Sequence, residues 1–300
     1  MKEVHGWGPD AEIALPSVTF IATLNAVLQA GLTTLLVDVE LEHFGMDGAK
    51  IPGRARAAVP VGLFGHVPPP IVGLPLVVDS CETMFIDGCA DGDVSCFSTY
   101  SAHLITTGVG GLATTDDPTL ARIIRSLANH GRDGIYASID QPLGSREVMN
   151  ARFNFIRSGY SCRGTEVQAA IGCAELDEFP RNIERRRRNA GLLLEGLKDL
   201  PIQTARYPLM SSAWMMFPIL AQSREMRDML TTGLELSGIE TRPLMPLTNQ
   251  PFVRYRWGNL DESLPNARLV NETGFYVGCH QHLDDDDIQR MIDTFHRICG

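Results

Sequence analysis

Apolar residues along this 300-residue chain fall into two rhythms. Short, nearly continuous apolar runs predict buried strands at Glu12–Pro16, Thr34–Val39, Ala57–Leu63, Pro75–Asp79, Val94–Ser98 and Gly111–Thr115. Apolar positions three and four apart predict helices between and after them. Thr19–Ala30 carries Phe20, Leu24, Val27 and Leu28 on one face and stops at Gly31. Pro118–His130 has Asp117 as its cap and Gly131 as its end. Thr165–Phe179 aligns Val167, Ala170, Ile171 and Ala174, and Pro180 starts a further helix running to about Leu200. The last helix, Asp284–Cys299, opens with four aspartates at its positive dipole end and buries Ile288, Met291, Ile292, Phe295 and Ile298.

Strand–helix alternation of this kind predicts an α/β fold with a mainly parallel sheet flanked by helices. After Pro201 strands and helices mix, which predicts a smaller carboxyl-terminal α+β domain. The boundary is placed near 185–200, giving a large domain over 1–190 and a small one over 191–300. One connection breaks the rhythm. Gly65–Pro75, with Pro68-Pro69-Pro70, is too short and proline-rich for a crossover helix and reads as a trimmed link.

Bulk properties narrow the function classes. Hydrophobic residues make up 44% and charged residues 21%, as in ordinary globular proteins. The net charge of −10 argues against a nucleic-acid partner, which calls for a basic face. Seven cysteines, with no Cys-x-x-Cys pair, suit reduced thiols in a cytoplasmic protein rather than a metal site. No basic-then-apolar leader and no run of 18 apolar residues is seen, so no membrane is expected. The Arg185–Arg188 run reads as a solvated helix face.

The informative chemistry lies in Cys96-Phe97-Ser98-Thr99-Tyr100-Ser101-Ala102-His103, followed by a loop ending in Gly110-Gly111. This run closely resembles the cofactor-lysine segment of the DegT/DnrJ/StrS family of pyridoxal-phosphate-dependent sugar aminotransferases, with His103 at the lysine position. The chain holds three lysines, Lys2, Lys50 and Lys198, none near the motif. A Schiff base needs a primary amine. Imidazole cannot supply one, but it moves protons near neutral pH. The same replacement marks the family's sugar 3-dehydratase branch. Val109 departs from the acidic residue many relatives have before the two glycines, which themselves suit a tight positive-φ turn.

The resemblance extends from about Glu12 to Ile298 and implies further roles. It predicts a type I pyridoxal-phosphate architecture whose amino end is shortened, because nothing matches the family's Ser-Gly-Thr phosphate-binding helix start. Asp79, ending Leu76-Val77-Val78-Asp79, matches the partner of the pyridine nitrogen; read alone it could cap a turn. Glu82 matches the contact to the ring hydroxyl. Ser98 matches a phosphate-contacting serine, or is a plain turn hydroxyl. Gly159-Tyr160-Ser161-Cys162-Arg163 resembles a segment whose asparagine reaches the partner subunit's cofactor phosphate, so Ser161 is a shorter substitute. Arg242 and His280 lie in segments that approach substrate in relatives; an ion pair and a core histidine are the plain alternatives.

By resemblance, the cofactor is pyridoxal or pyridoxamine 5′-phosphate, the substrate a nucleotide-linked 4-keto-6-deoxy sugar, and the assembly a homodimer. Three activities stay open: 3-dehydratase with His103 as acid and base, sugar aminotransferase, or a catalytically idle relative serving as a partner or regulatory subunit.

Overall fold

The computed structural model describes residues 1–132, 146–151 and 153–300. Its amino-terminal part is a sheet built from two triplets. Strands β1 (Glu12–Pro16), β2 (Thr33–Val37) and β3 (Ala57–Ala58) pair in parallel in the order β2-β1-β3. Strand β4 (Val77–Asp79) runs parallel to β5 (Val94–Ser98), and β6 (Gly111–Thr114) returns antiparallel on β5. Parallel bridges Ala58–Leu76 and Val61–Asp79 join the triplets into one mainly parallel sheet. The chain from β3 to β4 contains no α-helix, so the proline-rich link is trimmed as its sequence implies.

Helices α1 (Lys2–His5), α2 (Ile21–Gln29), α3 (Pro118–Ala128) and α4 (Arg146–Ala151) belong to this part. Asp117 caps α3 through Thr119 and Leu120 N–H, with Pro118 in the first turn. The expectation of two helices meeting at Pro180 is corrected. Helix α5 runs unbroken from Glu166 to Gly196 with Pro180 inside it. Phe179 and Ile183 are buried on both sides of the proline, and this packing offsets the lost backbone bond, about 3 kcal/mol. The expected domain boundary therefore falls within and just after one continuous helix.

Beyond α5, β7 (Ile202–Thr204), β8 (Phe217–Ala221), β9 (Thr241–Pro243) and β10 (Gly274–Val277) form an antiparallel sheet ordered β7-β8-β10-β9. Helices α6 (Arg224–Leu236), α7 (Pro251–Trp257), α8 (Pro265–Thr273) and α9 (Asp285–Cys299) accompany it. Trp214, Phe217, Ile219, Phe275 and Phe295 anchor the largest core cluster, which also takes Ala190 and Leu193 from α5 and Leu197 from its cap.

The arginine run is not the solvated face its charge suggests. Arg186 is only 5% exposed and donates to Trp214 and Met215 carbonyls. Arg187 donates to Ser212 O, Arg185 to Leu283 O, and Arg185 and Arg188 pair with Asp285. Hydrogen bonds to backbone carbonyls reward burial that composition cannot reveal. Among the described residues, no helix is long and apolar enough to cross a membrane.

Candidate active site

Parallel strands end in a crevice where their carboxyl ends meet, and here that crevice receives Asp79 and Ser98. The Asp79 backbone is fixed on both sides: its N–H donates to Pro60 O at 2.9 Å and its carbonyl accepts from Gly62 N at 2.8 Å. One carboxylate oxygen, Oδ2, accepts from Thr23 Oγ1 at 2.7 Å; Oδ1 accepts from Cys81 N at 3.2 Å. The carboxylate borders a cavity of about 410 Å³ with mostly apolar walls, among them Val27, Val78 and Cys96. Burial, reinforced by Asp79, pushes the Cys81 thiol far up and the Cys96 thiol up to about 11. Both stay protonated at neutral pH and are poor nucleophiles.

Five residues after Ser98, His103 folds back. Its backbone N–H donates to Tyr100 O at 2.9 Å, and its Nδ1 lies 3.3 Å from Ser98 Oγ. That serine oxygen also accepts from Tyr100 N at 3.2 Å. Burial lowers the proton affinity of His103, while the Tyr100 backbone and the Asp79 charge pull it upward. The net shift is downward, so the imidazole is neutral at neutral pH and free to accept a proton. The loop that follows needs its glycines for two different reasons. Gly110 has φ +155, as the turn reading expects, but Gly111 does not; a Cβ there would meet Phe97 O at 2.7 Å.

Glu82 sits in the turn after β4 and accepts from Phe64 N at 2.7 Å. Burial pushes its carboxyl up to about 7; the Phe64 bond pulls it down and Asp79 adds to the rise. Its charge also reaches Tyr207 and Tyr276, whose phenols are raised chiefly by burial. The Phe64–Gly65 backbone is tied to residues 213–215 through Ala213 N–Gly65 O at 2.7 Å and Met215 N–Phe64 O at 3.0 Å. A Cβ at Gly65 would lie 2.5 Å from Trp214 N, so this approach admits only glycine.

Arg242 reaches the same neighbourhood from the antiparallel sheet. It pairs with Tyr276 in register, bonds Glu240, and lines a cavity of about 320 Å³ with Thr19, Phe20 and Tyr276. Thr19 Oγ1 is 2.9 Å from Thr23 Oγ1, which in turn holds Asp79. Phe20 presents a ring that is 60% exposed on this cavity. Sequence reasoning missed Thr19, Phe20 and Thr23; the available signal was a threonine pair four apart at a helix start directly after a strand.

Two expected residues lie elsewhere. Ser161 is exposed, bridges Asn129 across an antiparallel pair and accepts from Arg163. His280 packs by α5 and the start of α9, where its carbonyl accepts from Asn189 and its Nδ1 accepts from His282 N. Burial, then Arg186 and His282, depress its proton affinity against Asp287. Among the described residues, no hydrogen bond or ion pair ties either one to Asp79.

The fold and this crevice define a large class of cofactor-using α/β enzymes. The chain belongs to the DegT/DnrJ/EryC1/StrS aminotransferase family, which it matches over residues 1–296. It is 29% identical over 294 residues to the GDP-4-keto-6-deoxy-D-mannose 3-dehydratase of Escherichia coli O55:H7, covering 90% of this chain and 76% of that one. It is 28% identical over 316 residues to the GDP-perosamine synthase of Caulobacter vibrioides, covering 98% and 80%. A solved structure of the E. coli 3-dehydratase with bound hydrated pyridoxal phosphate superposes with a TM-score of 0.82, at 25% identity, over 95% of this chain and 79% of that one.

Proposed function

We propose that this chain is a pyridoxamine-phosphate-dependent enzyme of nucleotide-linked 4-keto-6-deoxy sugars, working as a 3-dehydratase. The observation that carries the reading is His103. It occupies the lysine position of the motif, is neutral by burial, and is held by Ser98 within the field of Asp79. What supports a cofactor ring beside Asp79 is that the carboxylate borders a cavity with mostly apolar walls. When bound, the cofactor supplies an amine for the sugar ketone and an electron-withdrawing ring.

The chain's residues divide the remaining work. Asp79 offers a carboxylate oxygen to the ring nitrogen. Glu82, half protonated near pH 7, can donate to or accept from the ring hydroxyl. His103 accepts a proton at Nε2 when Nδ1–H is given to Ser98 Oγ, and the same atom returns a proton to a departing hydroxyl, which leaves as water. Ser98 is thus better placed to orient the imidazole than to touch a phosphate. Arg242 offers a forked cation to the substrate diphosphate.

A homodimer in the cytoplasm is part of this reading. Phe153, Tyr160, Val167, Ile171 and Leu176 are all exposed apolar residues near Ser161 in the sequence, as expected of a surface that a second subunit covers. Ser161 then has a route to the partner's site.

The likeness to GDP-perosamine synthase over 98% of the chain favours a second reading, transamination. Product analysis separates them. With pyridoxamine phosphate and GDP-4-keto-6-deoxymannose, the wild type should release a 3-deoxy sugar. A dominant 4-amino sugar would establish the aminotransferase. No turnover and no cofactor binding by the folded protein would point to an idle partner subunit.

A further inference from the structure

Thr23 lies in the first turn of α2, only 4% exposed, between alanines and apolar residues of the cavity wall. A buried threonine in a helix commonly satisfies its hydroxyl on the carbonyl one turn back. This one points across to another element and donates to Asp79 Oδ2 at 2.7 Å. A hydroxyl has one proton, and a carboxylate only accepts. With that proton committed, Thr23 Oγ1 must accept from Thr19 Oγ1, 2.9 Å away and equally buried. Thr19 is fixed in turn by its backbone N–H, which donates to Met245 O at 3.1 Å. The two hydroxyls form a one-directional chain ending on the carboxylate. Hydrogen bonds in series polarise one another, and one ending on a charge is stronger than a neutral pair.

We infer that Thr23, backed by Thr19, is a positioning residue: it fixes the orientation of the Asp79 carboxylate opposite the cofactor ring nitrogen. The inference rests on the proposed cofactor site. Oδ2 is held from α2 and Oδ1 from the turn after β4. The carboxylate is therefore clamped from both sides, with a lone pair left on each oxygen for a ligand. The chain also links the ring end of the site to the segment carrying Arg242, because Thr19 lines both the relay and the Arg242 cavity.

The test compares Thr23→Val, which keeps the shape and loses the hydroxyl, with Thr23→Ser, which keeps the hydroxyl, in the full chain. Pyridoxamine 5′-phosphate is titrated into each, following its absorbance and fluorescence. Thr23→Val should bind at least tenfold more weakly, and the absorbance change that reports ring-nitrogen protonation should move to lower pH. Thr23→Ser should restore both to within about threefold of wild type. In an Asp79→Asn background, Thr23→Val should have little further effect, since its acceptor is already altered. Equal binding and an unchanged pH profile for wild type and Thr23→Val would overturn the inference while leaving the cofactor site standing. A folded wild type that binds no pyridoxamine phosphate would instead overturn the cofactor site, and the inference with it. Should Thr23→Val not fold, Thr19→Val reads the same chain one link back: unchanged affinity and profile there would overturn the relay.

Discussion

Strands β8 and β6 are alike in length and opposite in fate. Every residue of β8 is buried, between β7 and β10 and beneath helices α6 and α8. Every residue of β6 is exposed, at the edge of the parallel sheet. Beside β6, Val109, Leu112, Leu176 and the first turns of α5 line an open apolar cavity of about 500 Å³. The antiparallel sheet completes its own core within one chain. The candidate crevice is instead built on the half of the molecule whose apolar surface is left uncovered, where the proposed second subunit belongs. Stability should therefore be concentrated in the carboxyl-terminal core, and assembly in the β6–α5 face.

Four changes would break or sharpen this contrast. The largest effect is expected for Trp214→Ala. The indole is wholly buried where α5, β8 and the Phe64–Gly65 loop meet, so its removal should cost about 3–5 kcal/mol in urea unfolding. A loss below about 1 kcal/mol would mean the carboxyl-terminal core is not the stable half.

Next is a pair of opposed titrations. Glu82 is raised from 4.5 to about 7, so the folded state holds its proton more tightly and stability falls as pH rises from 4.5 through 7. His66 is lowered from 6.5 to about 4 by burial and by His43, so stability rises with pH from about 4 to 6.5. The slopes cancel over most of pH 4.5–6.5. Glu82→Gln should leave the His66 slope alone, so that this variant loses on the order of 3 kcal/mol between pH 6.5 and 4 relative to wild type. Parallel stability–pH curves for the two proteins would refute the assignment.

Val167→Asp comes third. The side chain is 70% exposed on the first turn of α5. Monomer stability should change by less than about 0.5 kcal/mol, while the dimer dissociation constant, read by analytical ultracentrifugation, should rise at least tenfold. An unaltered dimer would place the interface elsewhere.

The smallest effect is at the cap of that helix. Thr165 and Gln168 form a capping box, Thr165 Oγ1 accepting from Gln168 N at 3.3 Å and Gln168 Oε1 from Thr165 N at 2.8 Å. Thr165→Ala should cost about 1 kcal/mol, seen as a small fall in urea midpoint.

Much of this architecture was legible from periodicity. Glu12–Pro16 and Val94–Ser98 match their predicted bounds, because buried parallel strands read as unbroken apolar runs. The places of Asp79 at a strand end and of His103 just after one were legible too, since each ends or follows such a run within a motif. What stayed hidden depends on distant partners. Pro180 looked like a helix start because local rules cannot see the packing that carries α5 through it. Arg186 looked solvated because its carbonyl acceptors come from a loop 28 and 29 residues away. The threonine pair at the start of α2 hinted at a role for Thr23, but not at its partner, because Asp79 is 56 residues on. Arg242 and His280 looked equivalent in sequence; the structure puts Arg242 in one cavity with Thr19, the far end of the relay to Asp79.

The account stands on His103 as the group that moves the proton, and His103→Asn tests it most directly. Asparagine keeps a polar group of similar reach but cannot take up a proton at neutral pH. With pyridoxamine phosphate affinity measured alongside, the variant should bind cofactor within about threefold of wild type. It should form 3-deoxy sugar about 10²–10⁴-fold more slowly, the range expected when a general acid–base is removed. Cofactor binding and product formation both at the wild-type level would contradict the central claim.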